Sequence, residues 1–85
     1  NEIVIGSNAT GAGSNSVVLG SDSITKTLLK GNVGIGTTSP TAVLHIKAGT
    51  ATASTAPIKL TAGTLNTNPE AGTIEFDGTD FYMTV

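Results

Sequence analysis

Apolar side chains recur at every second position in a series of short segments along the chain. Alternation with a period of two places both side chains of such a pair on one face of a β-strand. Each of the first three pairs is followed directly by a glycine, where the backbone can bend sharply. These pairs are Ile3 and Ile5, Val17 and Leu19, and Val33 and Ile35. The pattern predicts short strands that each end in a turn.

The first two of these segments are copies of one repeat. Residues 1–6 align with residues 15–20 at an offset of 14, and residues 32–36 have the same ending after a longer insertion. Short strands bent at a fixed interval stack into a coil or prism, in which each turn covers the apolar pair of the next. Pro40 cannot donate to a strand ladder and redirects the chain. Residues 1–40 are therefore predicted to form a repetitive β-coil or β-prism.

The second part of the chain, residues 41–85, contains further short strands and a hairpin. Residues 42–48 and 58–61 alternate between apolar and polar side chains, and residues 49–56 form a loop of small residues. Strand-like segments on either side of Asp77-Gly78-Thr79-Asp80 predict a C-terminal hairpin with an Asp-Gly turn. The only helix candidate is a single turn within residues 24–30, and we interpret it as a loop or bent strand.

The predicted fold class is all-β, a repetitive β-coil or β-prism with short strands and a C-terminal hairpin. The apolar residues of the strand pairs are the predicted structural core, and glycine, proline and aspartate residues mark the turns. The core residues are Ile3, Ile5, Val17, Leu19, Val33, Ile35, Leu44, Ile46, Ile58, Leu60, Ile74 and Phe76. The turn residues are Gly6, Gly20, Gly36, Pro40, Asp77 and Gly78.

The composition indicates that a single chain has few means of stabilising this fold. Only 4% of the 85 residues are aromatic, and tryptophan and cysteine are absent. A lone chain of this size buries only about 60–65% of the surface that its unfolded form exposes, which leaves a thin margin of stability. Association between chains is the remaining source of stability. The net charge is −2, and the chain lacks the dense cluster of basic residues that nucleic-acid binders need. No apolar run is long enough to insert into a membrane. The chain begins without methionine and ends inside a strand-like stretch, so we interpret it as a segment of a longer protein.

Three stretches resemble known fibrous proteins. Residues 15–22, Asn-Ser-Val-Val-Leu-Gly-Ser-Asp, and residues 1–8 resemble the head repeat of trimeric autotransporter adhesins. Residues 31–40, Gly-Asn-Val-Gly-Ile-Gly-Thr-Thr-Ser-Pro, followed by 44–46, and residues 69–79 are similar to segments of bacteriophage tail fibres. The resemblance implies a homotrimer, intertwined or side by side, upstream of an intramolecular chaperone domain that trimerises the fibre and cleaves itself off. The chaperone's own residues are not in this sequence, so no auto-cleavage is assigned.

The sequence offers no set of catalytic, cofactor-binding or metal-binding residues. His45 is the only histidine, and neither a Gly-x-Ser-x-Gly elbow nor a second nitrogen or sulfur ligand accompanies it. Three copies of His45 could converge on a trimer axis around a metal, although alternation places it opposite Leu44 and Ile46. The spacing of Gly34 and Gly36 resembles the glycine-rich loop of dinucleotide-binding proteins. Pro40 follows where the phosphate-binding helix must begin, so we reject this match.

Two further patterns have a simpler structural interpretation. The carboxylates of Glu75, Asp77 and Asp80 could hold calcium, but the same residues suit the hairpin turn, which we favour. Thr-x-Thr pairs at 25–27 and 50–52 are spaced as in ice-binding solenoids. They fall outside the 14-residue repeat and cannot align in ranks, and threonine is a good strand residue.

The predicted function is that of a non-enzymatic structural segment of a homotrimeric tail fibre or surface fibre that presents host-attachment regions. Its partners are two further copies of itself, other fibre or tail proteins, and a host-cell glycan or receptor. The expected location is the virion, with the bacterial cell surface as the alternative. The alternative function is a glycan- or receptor-binding adhesive module using Phe81 or Tyr82. These neighbours point to opposite faces of a strand, so at most one is expected to face outward.

Overall fold

The computed structural model describes all 85 residues and contains six short β-strands. No residue is helical, including residues 24–30, so the all-β prediction is confirmed. None of its elements is an apolar helix of the length needed to cross a bilayer. The strands are β1 (Glu2–Ile5), β2 (Ser16–Leu19), β3 (Val33–Ile35), β4 (Leu44–Ile46), β5 (Ile74–Phe76) and β6 (Phe81–Met83).

The six strands form three separate two-stranded sheets. β1 pairs with β2 and β3 with β4, both in parallel, whereas β5 and β6 form the antiparallel C-terminal hairpin predicted from the Asp-Gly turn. The contacts of the chain divide it into two units, Asn1–Asn32 and Val33–Val85. The structure contains only these short sheets, and the coil, the prism and the trimer stay predictions.

The parallel pairing of β1 with β2 reproduces the repeat in the sequence. Ile3 lies beside Val17 and Ile5 beside Leu19, which is the 14-residue offset of the alignment. The Gly20 amide extends the ladder by donating to the Ile5 carbonyl oxygen at 2.7 Å. A Cβ atom added to Gly6 would lie only 3.2 Å from the Gly20 Cα atom, so the absence of a side chain at Gly6 lets the two turns stack closely. The repeat therefore sets the register as well as the strand positions.

The third strand finds a different partner from the one the repeat suggests. β3 pairs with β4 at an offset of 11 residues, with Val33 beside Leu44 and Ile35 beside Ile46. The insertion at 21–30 breaks the regular interval between repeats. The next alternating segment of the chain, β4, provides the hydrogen-bonding partner of β3 instead. Pro40, the predicted end of the first segment, lies in the connection between these paired strands.

The predicted strand at 58–61 is not present. These residues have no regular secondary structure, since no segment of the single chain pairs with them. The nearest backbone pairing is the bond from the Gly63 amide to the Phe76 carbonyl oxygen, at 3.0 Å. Alternation of apolar and polar residues is not sufficient for a strand when the hydrogen-bonding groups find no partner.

No residue of the single chain is buried, whether apolar or polar. Four of the twelve predicted core residues are half-buried, namely Val33, Ile46, Leu60 and Phe76, and the other eight are exposed. The predicted core was assigned to an assembly of chains, so it stays a prediction. The predicted turn glycines, Gly6, Gly20, Gly36 and Gly78, all have positive φ angles that favour glycine.

Candidate functional site: three exposed apolar faces

Each of the three sheets exposes one apolar face. On the first sheet this is the repeat face, formed by Ile3, Ile5, Val17 and Leu19, whose side chains are 55–68% exposed. The opposite face carries Val4 and the half-buried Val18. The connection between the strands returns on the side of Glu2, whose carboxylate accepts the Gly13 amide at 2.9 Å. One face is thus partly covered by the chain itself, and the repeat face is left open.

An apolar groove of about 300 Å³ continues the repeat face within the first unit. Its walls are aliphatic, and its residues include Ile5, Leu19, Ile24, Leu28 and Leu29. Ile24 contacts Gly20, where an added Cβ atom would collide with the isoleucine side chain. The residues of the insertion therefore enlarge the exposed apolar surface of the repeat rather than cover it.

The second sheet carries Val33, Ile35, Leu44 and Ile46 on one face, because these residues are register partners. Ile35 and Leu44 are exposed on this face, and Val33 and Ile46 are half-buried. On its other side Gly34 lies beside His45. A Cβ atom at Gly34 would lie 2.6 Å from the carbonyl oxygen of Thr37, so the connection between the strands packs against this bare position. This contact explains the glycine in the middle of β3.

The hairpin presents the third apolar face. The register places Ile74 beside Met83 and Phe76 beside Phe81, so these four side chains share one side, the hairpin face. The rings of Phe76 and Phe81 are stacked with their centroids 4.6 Å apart. Apart from the half-buried Phe76, the side chains of the hairpin face are 60–74% exposed. The predicted core omitted Phe81 and Met83, which the register of an Asp-Gly hairpin places opposite Phe76 and Ile74.

The other side of the hairpin is polar and internally bonded. Asp77 Oδ1 accepts the amides of Thr79 and Asp80, both at 2.8 Å, and Asp77 Oδ2 accepts the Tyr82 hydroxyl at 3.0 Å. The backbone amides of Asp80 and then Thr79 hold the pKa of the Asp77 carboxyl below its ordinary value of 3.8. The hydrogen bond to the Asp77 carboxylate, and then its charge, raise the pKa of Tyr82 above 10.0. Asp77 thus fixes both the turn and the tyrosine.

The tyrosine–carboxylate bond should be visible in an absorbance titration, since Tyr82 is the only tyrosine and tryptophan is absent. We expect the phenol to ionise at a pH above 10.0, and Asp77→Asn to shift the midpoint down towards the ordinary value. The bond needs an ionised carboxylate and a protonated phenol. Its contribution to stability is therefore present between these limits, lost as the pH falls through the lowered pKa of Asp77, and lost as the pH rises through the raised pKa of Tyr82. Identical midpoints in the two proteins would contradict this assignment.

Two of the three carboxylates considered as calcium ligands, those of Glu75 and Asp77, have other partners in the structure. Glu75 Oε1 accepts the backbone and side-chain amides of Asn66, both at 2.8 Å, which ties the 63–72 loop to β5. Asp77 is occupied by the turn and by Tyr82. No group of three or more histidine, aspartate, glutamate or cysteine side chains is arranged to hold a metal ion.

The threonines of the 49–56 loop also bond to one another. Thr55 is the centre of this network: its hydroxyl lies 2.8 Å from the Thr50 hydroxyl, donates to the Thr52 carbonyl at 2.7 Å and accepts the Thr50 amide. Ser54 closes the loop with a positive φ angle of 68°. The hydroxyls of this Thr-x-Thr pair stabilise a compact loop and do not form a flat rank that could match an ice surface.

The structure places the two candidate glycan-binding aromatics on opposite faces, as alternation predicts, but both are exposed in the single chain. Phe81 is 67% exposed on the hairpin face and Tyr82 is 39% exposed on the polar side. The Tyr82 hydroxyl is already used by Asp77. The two-stranded sheet leaves both of its sides open in the single chain, so the expectation that at most one of the two aromatics faces outward in the assembled fibre stays a prediction.

Comparison of the chain with protein-family models, with curated proteins and with solved structures finds no match. The candidate site is thus defined by geometry alone. It consists of three apolar faces, and their chemistry is that of association through nonpolar surface.

Proposed function

We propose that this chain is a non-enzymatic structural segment of a homotrimeric fibre, most simply a phage tail fibre, that presents host-attachment regions. The observation that supports this proposal is that every sheet has an apolar face and no residue of the single chain is buried. Isolated two-stranded sheets are marginally stable in water. Burial of their apolar faces against further copies of the chain supplies the missing stability, at about 25 cal/mol for each Å² of apolar surface.

Closed three-fold symmetry suits these sheets for a second reason. Each two-stranded sheet has unpaired edges, and a closed assembly can cover edges that would otherwise template aggregation. The register of the first sheet also supports a repetitive shaft, because successive repeats pair in parallel at their own interval. The number of chains follows from the resemblance to trimeric fibres.

The proposed fibre has an uncharged polar exterior of threonine, serine and asparagine. It belongs to the virion or, as the alternative, to a bacterial cell surface, and it connects to other fibre or tail proteins. Three copies side by side would let a weak contact with a host glycan or receptor hold a cell through avidity. The chain's part in that contact is to position the binding regions.

Two neighbouring residues of β6 test the proposal against the adhesive-module alternative. Phe81→Ser is expected to weaken assembly, because truncating a buried phenylalanine costs about 3 kcal/mol or more per chain. Tyr82→Ser removes the bond to Asp77 but leaves the hairpin face intact, so the native mass should not change. The masses are compared by light scattering over a dilution series.

The same pair of variants separates the two functions through binding to cells or immobilised glycans. For a structural segment, Tyr82→Ser binds like the unmodified fibre. Loss of binding by assembled Tyr82→Ser would instead establish a glycan-binding role for this residue and overturn the structural interpretation.

A further inference from the structure

The C-terminal hairpin turns at an aspartate followed by a glycine, a pair of residues that cyclises readily in peptide chains. Glycine has no side chain to shield its amide nitrogen, so this atom can reach the carboxyl carbon of the preceding aspartate. Of the three aspartates of the chain only Asp77 precedes a glycine, whereas the others precede serine and phenylalanine, and no asparagine precedes a glycine. Cyclisation of the backbone onto a side chain is therefore least hindered at Asp77 and Gly78.

This reaction needs only water besides the chain itself. The amide nitrogen of Gly78 attacks Cγ of the protonated Asp77 carboxyl, a bond between nitrogen and Cγ forms, and the amide hydrogen leaves with the hydroxyl as one water. Addition of water to the resulting succinimide then breaks one of the two bonds between the nitrogen and a carbonyl carbon. Breaking the bond to Cγ restores aspartate, whereas breaking the bond to the backbone carbonyl carbon of Asp77 leaves an isoaspartyl linkage of the same mass.

The closed hairpin occupies both oxygens of this carboxylate with hydrogen bonds. Oδ1 accepts the amides of Thr79 and Asp80, both at 2.8 Å, and Oδ2 accepts the Tyr82 hydroxyl at 3.0 Å. These donors stabilise the ionised carboxylate, which has no hydroxyl to leave and resists attack by an amide. Neither oxygen can leave as water until its hydrogen bonds break, so the closed hairpin opposes the reaction.

A second contact restrains the glycine. A Cβ atom built on Gly78 would lie 3.2 Å from the Cβ atom of Ala62, and the adjacent Gly63 amide donates to the Phe76 carbonyl oxygen at 3.0 Å. Gly78 itself has a φ angle of 102°, which favours glycine. Rotation of the Gly78 nitrogen towards the Asp77 side chain therefore disturbs the turn and its packing against residues 62–63.

We propose that the Asp77–Gly78 bond is a site of isoaspartate formation that the closed hairpin suppresses. The reaction proceeds from hairpins that have opened, so its rate follows the population of the open form. The isoaspartyl linkage routes the backbone through Cβ and Cγ of Asp77, which lengthens the turn by one carbon atom. Because the turn sets the register of a hairpin, the pairing of Phe76 with Phe81 is then lost. The proposal concerns a single chain and does not depend on the number of chains in the fibre.

Incubation of the full 85-residue chain near neutral pH, with and without guanidinium chloride, tests the proposal. Electron-transfer fragmentation in a mass spectrometer distinguishes the two linkages at each aspartate, and the succinimide is detected as the loss of one water. We expect isoaspartate at Asp77 to form at least roughly tenfold more slowly in the native chain than in the denatured one, since hydrogen bonds to a charged group must break first. Asp22, which lies outside the hairpin and precedes serine, is the internal reference, and its rate should change far less.

Tyr82→Phe is the matched variant, because it keeps the aromatic ring and removes only the hydroxyl that donates to Asp77. It should raise the rate at Asp77 in the native chain roughly three- to tenfold and leave the rate in guanidinium chloride unchanged. The rate at Asp22 should be the same in both proteins. Equal rates at Asp77 with and without denaturant would overturn the proposal. So would a denatured chain that forms no isoaspartate at Asp77, or a native rate that Tyr82→Phe does not change.

Discussion

Val17→Asp should reduce the native species from three chains to one. Val17 lies in the middle of the repeat face, between Ile3 on the neighbouring strand and Leu19 on its own. In the proposed fibre its side chain is removed from water in all three copies. An unpaired charge in such a place costs about 3–5 kcal/mol, and three carboxylates near one axis also repel one another.

If the protein is a monomer, the same substitution is expected to have little effect. Val17 is 68% exposed there, so an aspartate would remain hydrated and stability would hardly change. Thr10→Asp is the matched control, because it adds the same charge to the same unit at an exposed residue of the connection between β1 and β2. Light scattering gives the mass of each variant. Equal masses for Val17→Asp and Thr10→Asp would show that the repeat face is not part of the interface between chains.

Gly34→Ala should lower the thermal unfolding midpoint far more than Gly63→Ala, a replacement at an uncrowded glycine of the same unit. The new methyl group would meet the Thr37 carbonyl oxygen at 2.6 Å and the Thr37 Cγ2 atom at 3.1 Å. A backbone oxygen cannot move aside as the end of a side chain can, so the connection must shift. Overpacking of this kind costs about 1–3 kcal/mol per chain.

Gly63→Ala is the control for this effect. Gly63 lies in the same unit, has no positive φ angle and has no atom near the position of a new Cβ. Its replacement should be neutral or should stabilise the fold by about 0.4–1 kcal/mol, because alanine restricts the unfolded chain. Similar midpoints for the two variants would mean that Thr37 does not pack on Gly34.

The local strand pattern could be predicted because alternation and turn chemistry act within a few residues. Ile3 with Ile5 and Val17 with Leu19 identify two strands, and their repetition at a fixed interval also gives the register. The hairpin follows from Asp77 and Gly78 in the same way. In these cases the information that determines the structure lies inside the segment or in its copy.

Other features depend on partners that no local pattern specifies. β3 pairs with β4 and not with another repeat, and residues 58–61 alternate correctly but find no strand to pair with. The bonds from Thr41 to His45, from Asn66 to Glu75 and from Tyr82 to Asp77 join polar residues whose meeting requires the fold. One of the missed features could have been predicted from the sequence. The register of an Asp-Gly hairpin places Phe81 and Met83 on the hairpin face, opposite Phe76 and Ile74.

The most direct test of the fibre proposal is the native mass and shape of the 85-residue segment by sedimentation. The proposal predicts an elongated species with three times the chain mass of 8.4 kDa. A compact monomer of 8.4 kDa would contradict it, and the exposed apolar faces would then have to serve a different partner.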